Sequence, residues 1–210
     1  MIPIRFRTVF MAFSFGVYSL VGHADPFVDQ VVTSAIDRTT QDVSYDGSYR
    51  SIPYPGGDVP LNLGVCTDLI IRSFRAAGID LQKEVHEDIS QDFDAYPSAR
   101  IWGMSRPDPN IDHRRVPNLQ IFFVRNGQNL PITSDPGDYA IGDIVTWMLP
   151  GNLPHIGIIT NQTSAASGRP LVAHNIGSGP RLEDMLFDFE ITGHYRYSTE
   201  LQTNALPHND

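Results

Sequence analysis

The single cysteine of this chain, Cys66, opens the stretch Cys66-Thr67-Asp68-Leu69-Ile70-Ile71-Arg72-Ser73-Phe74-Arg75-Ala76-Ala77-Gly78. Leu69, Ile70, Ser73, Phe74 and Ala77 follow it at spacings of 3, 4, 7, 8 and 11, which mark one face of a helix. Gly78 supplies a helix stop. Cys66 is therefore expected in the first turn, facing inward, where free N–H groups and the positive end of the helix dipole favour an anion. A thiol placed there is expected to ionise more easily, and the thiolate is the nucleophilic form. The plainer alternative is a small buried apolar cysteine. Farther along, His155 heads the run His155-Ile156-Gly157-Ile158-Ile159-Thr160, and His174 lies near the end of Leu171-Val172-Ala173-His174-Asn175-Ile176. Both runs read as strands. A hairpin that sets Ile159 against Pro170 would set Gly157 against Val172 and His155 against His174. A slip of one residue would bring Asn175 there instead. Either arrangement gives an imidazole a polar neighbour to fix its tautomer and ring plane, as a general base requires. Cys66, His155 and His174 form the candidate catalytic set.

Other polar groups are candidates for contacting a substrate. Residues 43–64 read as an irregular loop that leads into the cysteine helix, and such loops often line a site. Tyr54 or Asn62 could reach a reacting carbonyl from it, with packing or turn roles as the plainer reading. Asp112-His113-Arg114-Arg115 is dense in polar groups. Two adjacent arginines could clamp carboxylates, or could pair with acids of the protein's own surface. His86-Glu87-Asp88 looks like an acid–base cluster, but helix neighbours do not face one another, so it reads as a solvated face.

The elements that must carry these groups are legible in outline. Asp25-Pro26 reads as a helix cap and first residue, and Phe27, Val28, Val31, Val32, Ala35 and Ile36 form an apolar stripe, so a helix is expected over 26–38. Strands are expected over 119–124, 142–147, 155–160, 171–176 and 192–197. His194, in the last of these, is read as structural. Residues 201–210 read as a polar, frayed tail.

The chain begins with a short basic region containing Arg5 and Arg7, followed by an apolar run over 8–21 and then Gly22-His23-Ala24. This is the three-part pattern of a secretory signal peptide, with cleavage expected after Ala24. The apolar run is shorter than the roughly 20 residues that span a bilayer, and no later segment is apolar enough to do so. Loss of residues 1–24, which hold Arg5 and Arg7 and no acid, would leave 186 residues and take the formal charge from −9 to −11. That length suits one domain, here 25–200. Its acidity argues against nucleic acid or anionic lipid as a partner. A lone thiol cannot form an internal disulfide and is a liability in an oxidising compartment, a weak argument that the sulfur has a task.

Val65-Cys66-Thr67-Asp68-Leu69, the Gly142-to-Trp147 run and the His155-to-Thr160 run together resemble the NlpC-type papain-like cysteine peptidases of bacterial cell envelopes. The chain as a whole resembles an uncharacterised envelope branch of that clan over most of residues 27–198. That likeness is carried by residues 52–60, Val65-Cys66-Thr67-Asp68, His86-Glu87-Asp88 and Asp112-His113-Arg114-Arg115-Val116-Pro117-Asn118. The resemblance implies an α+β, papain-like core with N-terminal helices packed on an antiparallel sheet. It implies Cys66 as nucleophile, His155 as base and His174 as orienting residue, acting on peptide or amide bonds of peptidoglycan. Two departures stand out. The usual relatives have Asp-Cys-Ser where this chain has Val-Cys-Thr, and the Asp-His-Arg-Arg segment is not part of the general pattern.

The expected protein is an exported thiol hydrolase, periplasmic or secreted, requiring neither metal nor other cofactor. Its catalytic residues are Cys66, His155 and His174, with Tyr54, Asp112, His113, Arg114, Arg115 and Asn175 near the substrate. Two rivals remain at this point. One is a non-catalytic envelope-binding module on the same fold. The other is a metal hydrolase using His113, His155 and His174 with Asp112, although no compact ligand motif is present.

Overall fold

A computed structural model describes residues 25–198. The expected signal peptide and the tail over 201–210 lie outside the described residues. Helix α1 (Pro26–Arg38) begins where Asp25 caps it by accepting the Phe27 N–H, and buries Phe27, Val31, Val32 and Ala35. Strands β1 (Ser44–Tyr45) and β2 (Leu63–Gly64) form a short parallel pair. Helix α2 (Cys66–Ala76) follows β2 with only Val65 between. Helices α3 (Leu81–Gln91), α4 (Ser98–Trp102) and α5 (Val116–Asn126) complete the helical layer. Among the described residues no helix is long and apolar enough to cross a membrane.

The sheet is built from β3 (Gln128–Asn129), β4 (Ile144–Leu149), β5 (Leu153–Thr163), β6 (Pro170–Asn175), β7 (Pro180–Glu183) and β8 (Glu190–Arg196). Its order is β3-β8-β4-β5-β6-β7, and every neighbouring pair is antiparallel. The α+β class is as expected. One element differs: residues 119–124 lie within α5, not in a strand. The run Leu119-Gln120-Ile121-Phe122-Phe123-Val124 is rich in β-forming types, but Pro117 starts a helix there, and Leu119, Phe122 and Phe123 pack into the main core.

That core lies between helices and sheet. Ile70 and Phe74 of α2 meet Ile144, Ile156, Ile158, Ala173 and Tyr195 of the strands. The opposite face of the sheet is also covered, because Val145, Trp147, Ile159 and Val172 pack against Met185 and Leu186. The two-residue period of a strand sorts β5 accordingly: Ile156 and Ile158 turn to the helices, and His155, Gly157 and Ile159 share the other face with Trp147.

Polar ties between elements fasten the frame. Asp143 accepts from His194 Nε2 at 2.8 Å and from Arg196 Nε at 2.7 Å, which joins β8 to the turn before β4. His194 is thus buried inside the frame. On α3, Asp88 pairs with Arg125 of α5, so this member of the His86-Glu87-Asp88 trio is a helix–helix tie and not part of a solvated face.

Candidate active site

Cys66 is the first residue of α2, and the helix start is fixed by a carboxylate two residues on. Asp68 Oδ2 accepts the Val65 N–H at 2.7 Å. The thiol is buried, with 4% of the residue exposed. Backbone N–H groups of Ile156, Thr67 and Cys66 itself are directed at the sulfur. The first of these comes from β5. The β5–β6 ladder begins at Gly157 opposite His174, so Ile156 stands just past its end. Cys66 therefore meets the sheet at the His155–Ile156 peptide.

His155 sits opposite Trp147 of β4 and is buried. Its Nε2 lies 3.0 Å from Nδ1 of His174, whose own Nε2 lies 3.1 Å from Oε2 of Glu183 on β7. The three side chains cross three adjacent strands on one face. The register differs from the expected one by two residues: Gly157, not His155, opposes His174, and Ile159 opposes Val172. The reason is that β5 runs on to Thr163 through an irregularity between Ile159 and Thr163, which consumes part of the presumed loop. A slip of two keeps the face, so the histidines meet diagonally. Gly157 leaves the room for this. A Cβ there would lie 2.7 Å from Val172 Cγ1 and 3.3 Å from His174 Cβ.

The acidity of the thiol departs from expectation. Burial pushes the Cys66 thiol up to about 12, outweighing the N–H groups that pull it down. Burial, with a smaller contribution from His174, pushes His155 down to about 3. Burial also lowers His174, against the opposing pull of Glu183. The helix terminus does favour the thiolate, but desolvation is the larger effect. Near neutral pH the pair rests as thiol and neutral imidazole. In this structure no hydrogen bond joins the imidazole and the thiol.

A groove of about 460 Å³ reaches Cys66, lined by Tyr45, Trp102, Arg115, Val116, Leu153 and Pro154 among others. The Arg115 guanidinium carbon stands 4.0 Å from the Trp102 ring centroid. The remaining candidates are distributed as follows. Arg114 also borders the groove, but its charged end turns inward. Its Nε and Nη2 grip Asp68 at 2.9 and 2.8 Å, both partners being buried. Asp112 is buried and accepts the Asp108 N–H, and His113 is buried with Nδ1 unpartnered among the described residues. Neither lines the groove. Tyr54 does not line it either and packs edge-on against His86, with centroids 5.0 Å apart. Asn175 donates to the Gly64 carbonyl at 3.3 Å and so ties β6 to the approach to Cys66.

Sequence reasoning missed Glu183, Tyr45 and Trp102. Glu183 sits in a segment with no clear pattern. Tyr45 resembles Tyr49 and Tyr54 in its loop, and only the β1–β2 pairing places it beside the cysteine. Among the described residues no three His, Cys, Asp or Glu side chains converge as a metal site.

A family profile described as a domain of unknown function, DUF1287, matches residues 32–197. The chain is also 50% identical over 153 residues to the uncharacterised protein YijF of Escherichia coli strain K12, an alignment covering 73% of each chain.

Proposed function

The chain belongs to the DUF1287 family, and we propose that it is an exported thiol hydrolase with a papain-like, NlpC-type core, cleaving peptide or amide bonds of peptidoglycan. The observation that carries the reading is the meeting of Cys66, at a helix N-terminus, with the His155–Ile156 peptide, while His155 is itself bonded to His174. In this reading His155 takes the thiol proton as the sulfur attacks a carbonyl carbon. The Cys66 N–H helps hold the oxyanion at the helix N-terminus. His155 then protonates the leaving amine, and water clears the acyl-enzyme. Arg115, held on Trp102 at the groove wall with its Nη1 3.9 Å from Asp112 Oδ1, is the groove arginine assigned to a substrate carboxylate in this reading, since Arg114 is committed to Asp68.

The test is digestion of purified peptidoglycan by the exported protein, with products identified by mass. New muropeptides absent from a Cys66→Ser control are expected. Intact substrate with the parent protein would favour the second reading, a binding module on the same fold. That reading draws on the depth of Cys66 and its raised pKa. Export is tested separately, by N-terminal sequencing of the protein from the cell envelope. Asp25 is expected as the first residue, and a mature form that keeps Arg5 and Arg7 would refute cleavage.

A further inference from the structure

We infer that Glu183 is a positioning residue that decides which nitrogen of His155 acts as the base, an inference that rests on the hydrolase reading for its consequence but not for its geometry. An ionised carboxylate only accepts hydrogen bonds. Its contact with His174 Nε2 therefore requires the proton of neutral His174 to sit on Nε2. His174 Nδ1 then carries a lone pair, and the group 3.0 Å away, His155 Nε2, must be the donor. His155, with one proton already placed on Nε2, presents a bare Nδ1.

The opposite chain of tautomers is the one Glu183 disfavours. A proton on His174 Nδ1 would be donated to His155 Nε2, which would leave His155 protonated on Nδ1 and unable to accept from a thiol. His174 Nε2 would then turn a lone pair on the carboxylate. With both histidines buried, water is poorly placed to break the tie, and Glu183 is the acceptor at the end of the row. The other charged and titratable neighbours do not compete for this role. Arg181, directly opposite His174 on β7, carries only donors and opposes protonation of the ring. Cys66 on α2 makes no hydrogen bond to either histidine. When His155 accepts a second proton, its Nε2–H bond to His174 is retained and the row need not rearrange.

The inference is tested on the whole protein with nitrogen-15-labelled histidine. Two-bond proton–nitrogen spectra report tautomers directly and need no substrate. At neutral pH the parent is expected to show both His155 and His174 in the Nε2–H form. Glu183→Ala is expected to shift both toward a mixture, and Glu183→Gln, which keeps an acceptor oxygen, to restore part of the parent pattern. Unchanged tautomers in a folded Glu183→Ala protein would overturn the inference, as would a parent that holds the proton on His155 Nδ1. If the parent shows the expected tautomers, and they shift in Glu183→Ala, yet it leaves peptidoglycan intact, the hydrolase reading fails and the role of Glu183 stands. If peptidoglycan is cleaved and Glu183→Ala changes neither tautomers nor the pH profile of turnover, the role of Glu183 alone falls.

Discussion

Cys66→Ser is expected to yield a folded protein whose turnover on peptidoglycan falls by several orders of magnitude, the behaviour of a nucleophile acting as part of a unit. The substitution is nearly isosteric, and the sulfur's backbone donors from Ile156, Thr67 and Cys66 can serve an oxygen equally well, so little stability should be lost. The reactivity of the parent thiol provides an independent check. With the thiol pushed up to about 12 and His155 down to about 3, there is little resting thiolate at neutral pH. Alkylation of the parent by a small reagent should therefore accelerate steadily as pH rises through the alkaline range. A plateau already reached below neutral pH would mean a resting thiolate–imidazolium pair and would refute the neutral-pair description. Unchanged turnover in a folded Cys66→Ser protein would end the thiol-hydrolase reading altogether.

Arg114→Met should be the most damaging substitution near the groove that touches no reacting atom. Asp68 and Arg114 are both buried, and two hydrogen bonds join them. Removing one member of such a pair leaves the other charge buried and uncompensated, at a cost of about 3–5 kcal/mol. The same carboxylate caps α2 at Val65, so the loss falls at the helix end that carries Cys66. Urea unfolding should show a correspondingly lower midpoint with little change in slope. Asp68→Asn combined with Arg114→Met should recover part of the loss, because no bare charge remains. If Arg114→Met instead left the midpoint unchanged and raised KM alone, Arg114 would return to the role of a substrate clamp.

The sequence was most informative where an element is specified locally. The Asp25-Pro26 start and apolar stripe of α1, the inward face of α2 and the shared face of His155 and His174 all follow from periodicity. The face survived a two-residue error in register because parity in a strand depends only on even or odd offset. What was illegible depends on residues far apart in the chain. The partner of Arg114 lies 46 positions away, so an inward ion pair and a substrate clamp look alike in sequence. The acidity of the thiol is legible only in part for a related reason: helix position can be read locally, whereas the burial that outweighs it is a property of the whole fold. Within α5, residues 119–124 failed differently, since β-forming residues there were overruled by Pro117 and by packing.

Strand β7 is four residues long and stands at the open edge of the sheet, hydrogen-bonded to β6 alone. Edge elements of this kind open by local fluctuation well before the core does. Glu183 is the last residue of that strand. In the proposed role, the tautomers of the deeply buried histidines are thus anchored to an edge of the sheet and not to its centre. Fraying at the end of β7 would release the carboxylate and let the ring protons redistribute. If the proposed role of Glu183 holds, a strand paired along this edge would stiffen the anchor of the histidine row.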